Sequence, residues 1–495
     1  MSSPAALKSK VRLTRPFVQN FVVGCILFCL PGIYVAITGL GAGGGKASSA
    51  EVANNINAIL YGIFSFGALV VGFVLNKLKP RTCLMIGGIG YPVYVAGLWY
   101  FDRTGNDWFP YLGGTVLGCT SGFLWTAAAY VQFSYPEEHC KGLYISIQWS
   151  IRAVGATVGA LIAFGANFHQ TKAVGVSTPV YAVFVVIHCA AIFIAFFFIV
   201  DPATVVRDDG THIAVFKRPH MATELKILGQ TAIEPKYLIL AIPMLACEMA
   251  LALASSVSSK CFNLRTRTVN NIGFQGIQFV VPFILAMILD NPRVKSRRRR
   301  GLFGAALMSA LAIGACAGLL GWMEVHNVDY LAKSPAWDWT DSQFGGFFVL
   351  YVLFGSIYSG YQMVVEWTLG ATTNDPVRLA KVAGLLKSYS SFGMFISFIL
   401  AGQKVKFYIQ TTVQIILYAL GALCMVYTLM RSITNTNYFK EENVIVPRKF
   451  MEDATIRGEA TDEQVQLEHD KKVLADSVAV TVPAEKGSDA AEVGS

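Results

Sequence analysis

Four charged residues stand inside otherwise apolar stretches of this 495-residue chain: Arg152, Glu248, Glu366 and Lys387. A formal charge in hydrocarbon is expensive, so such residues turn inward and either pair with one another or handle a solute or a proton. Arg152 lies twelve positions into its apolar run, about 18 Å from the run's start at 1.5 Å per helical residue. Glu248 lies similarly deep in its own run. Both are candidates for binding a substrate or carrying a coupling ion. Gln148, one turn before Arg152, shares its helix face and could orient it. Glu366 and Lys387 lie at matching, shallower depth in successive runs, which suits a structural ion pair; snorkelling would satisfy the lysine equally well. His188 reads as a packed helix residue.

No catalytic set accompanies these charges. The chain shows no HExxH and no Ser/His/Asp or paired-acid grouping at one depth, so the sequence argues against an enzyme. Gly39-Leu40-Gly41-Ala42-Gly43-Gly44 matches GxGxxG but follows a membrane-type run instead of a strand, and Ala47 stands where a phosphate loop needs Ser or Thr. The ten cysteines show no CxxC spacing, so neither a metal site nor a disulfide framework is expected, and no motif calls for a cofactor.

The elements that must position the four charges are membrane helices. Apolar residues make up 54% of the chain and charged residues 14%, against roughly 25% charged in soluble domains. Twelve continuous apolar runs are long enough to span a bilayer: 17–40, 53–75, 82–101, 109–133, 141–166, 178–200, 236–257, 268–289, 301–322, 344–371, 380–402 and 408–430. Continuous runs mean helices, since barrel strands would alternate. The expected fold is an all-α polytopic membrane protein with twelve transmembrane helices in two six-helix bundles.

Its parts divide as follows: a cytosolic N-terminus 1–16, an N-terminal bundle 17–200, a cytosolic linker 201–235 with a short surface helix near 223–232, a C-terminal bundle 236–430, and a cytosolic, largely disordered tail 431–495. Residues 1–430 carry 32 Lys/Arg against 18 Asp/Glu, while the acidic tail carries 8 against 13. With sides alternating from run to run, the basic residues concentrate on the side holding both termini, which places that side in the cytosol. Positive charge in short loops meets lipid head groups and not nucleic acid. Lys260, Arg265 and Arg267 fall on the opposite side, against the trend.

Glycines repeat at four-residue spacing in Gly114/Gly118/Gly122, Gly155/Gly159 and Gly314/Gly318. Each set allows close helix approach, either as static packing or at surfaces that slide. Val52-Ala53-Asn54-Asn55-Ile56 and Thr268-Val269-Asn270-Asn271-Ile272 open corresponding runs of the two halves, as a duplicated unit would.

From Asn54 to Gly62, from Gly72 to Arg81, and at Phe123-Leu124-Trp125-Thr126-Ala127-Ala128, Val206-Arg207-Asp208-Asp209-Gly210 and Phe262-Asn263-Leu264-Arg265-Thr266-Arg267, the chain resembles the fungal members of the uncoordinated-93-like family, a branch of the major facilitator superfamily. The resemblance covers about 17–430. The superfamily's loop signature after the second span reads Gly-x₃-Asp-Arg-x-Gly-Arg-Arg/Lys. Here Gly72 and Arg81 match, Asn76 replaces the acid, Lys77 the arginine and Lys79 the glycine. The resemblance implies that the acid would latch one conformation, so its loss calls for a substitute in any protein that cycles.

Two function classes follow. One is a secondary transporter moving a small-molecule solute by alternating access. The other is a non-transporting accessory protein, a trafficking chaperone or ion-channel regulator, with a membrane-protein partner. The membrane itself, plasma membrane or endomembrane, is not distinguished.

Overall fold

The computed structural model describes residues 12–35, 49–167, 178–216, 220–328, 334–458 and 460–481. The GxGxxG stretch at 39–44 lies outside them. Over the described residues each apolar run has its helix: α1 (Pro16–Val35), α2 (49–78), α3 (80–104), α4 (Trp108–Ser134), α5 (Lys141–Asn167), α6 (Thr178–Phe198), α8 (Pro235–Ala246) with α9 (Met249–Cys261), α10 (Leu264–Leu289), α11 (Arg297–Val325), α12 (Ser342–Gly370), α13 (Pro376–Gly402) and α14 (Phe407–Ser432). A shorter helix, α7 (Met221–Ile233), lies in the linker, and α15 (Arg448–Ile456) and α16 (Asp462–Thr481) follow the last long helix.

Ten helices among the described residues are long and apolar enough to cross a membrane. This differs from a count of twelve for two physical reasons. Helices α2 and α3 run on as one element, broken only where Lys79 adopts φ 65° and ψ 156°. Lys79 precedes Pro80, whose ring disfavours helical geometry in the residue before it. Helix α4 spans 27 residues, but its glycines, serine and threonines dilute its apolar character.

Apolar side chains left exposed on the outer surfaces, such as Val186, Phe193, Phe197, Met287 and Leu423, form a belt suited to lipid. Within the first half, the α4 glycines face α2: a Cβ on Gly118 would sit 2.7 Å from the Leu60 carbonyl oxygen, and one on Gly122 2.8 Å from Gly67. Gly155 presses equally close on Phe28 of α1. These faces are packing inside a half. Of the α11 pair, Gly318 meets Leu350, while Gly314 meets no neighbour. The close glycine contact between halves is elsewhere. A Cβ on Gly384 of α13 would stand 2.7 Å from the Gly72 Cα of α2.

The tail, described over 431–458 and 460–481, is tied to the linker. Val215 N–H donates to the Asn443 carbonyl (2.8 Å), and the buried Arg207 guanidinium donates to the carbonyls of His212 (3.0 Å) and Ile445 (2.9 Å). Tyr438, Val444, Ile445 and Val446 are buried. These apolar islands are too short to show a period, and only the linker's exposed edge gives them something to cover.

Candidate functional site

Helix α8 ends at Ala246, three residues after Pro243, whose missing N–H weakens the helical ladder there. Glu248 caps the restart at α9. The break turns its carboxylate inward, where Gln362 Nε2 and Ser390 Oγ each donate to Glu248 Oε1 at 3.1 Å. Gln362 also donates to Glu366 Oε1 (3.2 Å), one turn along α12. Lys387 Nζ of α13 lies 3.3 Å from Glu366 Oε1 and 3.7 Å from Glu248 Oε1. Two acids therefore share one ammonium, all three buried. The depth-matched pair of the sequence is thus part of a triad that includes Glu248.

The other half contributes aromatic rings and a guanidinium. Trp149 Nε1 of α5 donates to Glu366 Oε2 (2.9 Å), crossing between halves. Its ring also carries Arg152, whose Cζ lies 4.3 Å from the Trp149 centroid and 5.6 Å from that of Tyr358. Arg152 donates to Gln278 Oε1 of α10 (2.6 Å), and its Nε has no hydrogen-bond partner among the described residues. Lys387 Nζ lies 5.1 Å from the Trp125 ring centre. Between the halves is a small cavity, lined among others by Trp125, Gln132, Trp149, Arg152, Glu366 and Lys387.

Gln148 lines the same cavity but does not hold Arg152. Its amide donates to Asn20 Oδ1 (2.8 Å) and the Ala128 carbonyl (3.3 Å), tying α5 to α1 and α4. His188 is buried against Tyr91. Sequence reasoning missed Gln278, Gln362, Ser390 and the tryptophans. The one available signal was spacing, since Trp149/Arg152 and Gln362/Glu366 are one helical turn apart.

At the end carrying the linker, the halves meet in a second polar layer. Asp290, at the end of α10, accepts from the first free N–H groups of α5, Gly142 (3.0 Å) and Leu143 (2.7 Å). A carboxylate suits a helix N-terminus, where unpaired donors and the helix dipole attract negative charge. Lys141 donates across to the Thr373 carbonyl (3.2 Å) and to that of Gly370 (2.5 Å). The site of the altered loop signature is different. Asn76 Nδ2 donates to Glu224 Oε2 of the linker helix α7 (2.8 Å), and the same oxygen is ion-paired with Lys381 of α13. Glu224 and Lys381 are buried. Gly72 abuts Gly384, and Arg81 stacks on Phe196 at 4.6 Å. An acid does stand between α2 and α13, supplied by the linker.

At the opposite end, Arg265 pairs with Asp338 of the loop before α12, as do Asn263 and Thr266. These bonds, Arg265 first, hold the Asp338 carboxyl well below the usual range. The basic loop that runs against the charge trend is thus partly neutralised by its own fold.

Helices in two bundles around a charged central cavity define the class: an integral, multi-pass membrane protein of the major facilitator fold. The outward conformation of the major facilitator transporter FucP superposes with a TM-score of 0.57 at 11% identity, covering 83% of this chain and 99% of that one. The family model described as "Ion channel regulatory protein UNC-93" matches residues 55–309. An uncharacterized membrane protein of Schizosaccharomyces pombe is 38% identical over 84% of each chain. UNC93-like protein 1 of Arabidopsis thaliana is 31% identical over 80% of this chain and 86% of its own. The chain belongs to the UNC-93 family. Fold and family together support a role in membrane transport or in regulation at the membrane.

Proposed function

We propose that the protein is a non-enzymatic secondary transporter of a small solute, working by alternating access with both termini in the cytosol. The observation that carries this reading is the cavity. It lies between the halves, receives Arg152 from one and Glu366 and Lys387 from the other, with Glu248 held beside it by Lys387, and is closed at the linker end by separate polar contacts. Breaking those contacts would expose the same residues to the other side, as the rocking of two related halves requires. The linker acid Glu224 supports the reading further, because it stands in for the acid that Asn76 replaces.

A second reading is an accessory protein held in one state. The family's description as ion-channel regulatory and the tail bound to the linker favour it. The two differ in one observable. Single cysteines placed at each end of the cavity should both react part of the time in a transporter, with proportions altered by a transported solute. A linker end that stays closed under every condition, with no uptake into liposomes across a solute panel, would leave the accessory role.

A further inference from the structure

The two halves bring opposite charge to the cavity and to the acid beside it. Helix α5 brings Arg152, which is 2% exposed, makes no ion pair among the described residues, and leaves Nε without a partner. The facing wall brings two carboxylates and one ammonium, an excess of one negative charge. Glu366 is fully engaged, with Trp149 on Oε2 and Gln362 and Lys387 on Oε1. Glu248 accepts its hydrogen bonds on Oε1 alone, so its Oε2 stays open among the described residues. Trp149 keeps the charges apart, giving its N–H to Glu366 and its face to Arg152.

A buried charge that is not fully neutralised is costly, and two of opposite sign brought near one another from the two halves are relieved together by one molecule carrying both complements. We infer that the site takes a small zwitterion, with its carboxylate on Arg152 and its ammonium on Glu248. The indole faces of Trp125 and Trp149, which line the cavity, receive its apolar body. Because the guanidinium belongs to one half and the carboxylate to the other, such a molecule also draws the halves together. This inference rests on the transport reading for its purpose, but its test is binding alone.

The test uses the full-length protein in detergent and follows intrinsic tryptophan fluorescence, which Trp125 and Trp149 should report. The central probes are leucine, 4-methylpentanoate, which lacks the ammonium, and 3-methylbutylamine, which lacks the carboxylate. A panel of the other neutral amino acids and glycine betaine runs alongside. At least one zwitterion should bind tenfold or more tighter than its anionic and cationic analogues. R152Q should then abolish discrimination for the carboxylate, R152K should restore part of it, and E248Q should abolish discrimination for the ammonium. Monodispersity and melting temperature identify variants that fail to fold. If no zwitterion binds, or if an analogue with one charge binds as tightly, the inference is overturned. The cysteine accessibility experiment decides alternating access independently of that result.

Discussion

Replacing Lys387 by methionine removes the one ammonium that two buried carboxylates share. Its Nζ lies 3.3 Å from Glu366 and 3.7 Å from Glu248. At an effective dielectric near 20 these separations correspond to gross attractions of about 5 and about 4.5 kcal/mol. Desolvation of the three groups offsets most of that in the native protein. In K387M the acids stay desolvated while the attraction is gone, so the expected loss is about 3–5 kcal/mol. E366Q should cost less, because Lys387 keeps Glu248. In the double variant K387M/E366Q, only Glu248 remains charged, with its open oxygen able to take a water or a proton. The double should therefore be more stable than the sum of the two singles, by a coupling of at least about 1 kcal/mol. The assay is unfolding of the purified protein in mixed micelles with increasing dodecyl sulfate, followed by tryptophan fluorescence, with both singles and the double measured together. Additive losses, or a K387M variant as stable as the wild type, would refute the shared-ammonium reasoning.

Breaking the Glu224–Lys381 pair with E224Q should weaken the linker-side closure by about 3 kcal/mol, more than a hundredfold in population, with the double E224Q/K381M partly restored; alkylation of a cysteine placed just inside the linker end reads it. G384V drives a side chain into the Gly72 backbone and should cost about 1–3 kcal/mol of that closure, with loss of disulfide formation between cysteines placed on adjacent turns of α2 and α13 as the check. Because the Asp338 carboxyl is held below its ordinary value by Arg265, the stability it adds to the loop is fully present above an ordinary carboxylate pKa of about 3.9 and is lost only as pH falls through the depressed value. Protection factors across 261–267, with the pH dependence of intrinsic amide exchange divided out, should therefore be unchanged between pH 7 and 5 and lower throughout in D338N.

The class of protein was legible in the amino-acid sequence alone. Hydropathy is a property of contiguous residues, so the long apolar runs announced membrane helices, and the cost of burying charge singled out Arg152, Glu248, Glu366 and Lys387. The signature around Gly72–Arg81 and the stretches near Asn54 and Phe262 carried the family. What residues more than about a hundred positions apart do to one another was not legible. Glu248 joins the Glu366–Lys387 pair only because the chain breaks at Cys247 and α9 is set against α12 and α13. Trp149 reaches Glu366, and Glu224 reaches Lys381, across an interface whose register no local pattern encodes. The tail's short apolar islands gained order from a linker edge more than 200 residues upstream. The glycine faces of α4 and α5 were visible as spacing, but only tertiary packing decided that they lie within one half, and that the crossing between halves falls at Gly72 and Gly384. A pattern in the chain reports what a segment must bury; which partner buries it depends on how whole helices are placed.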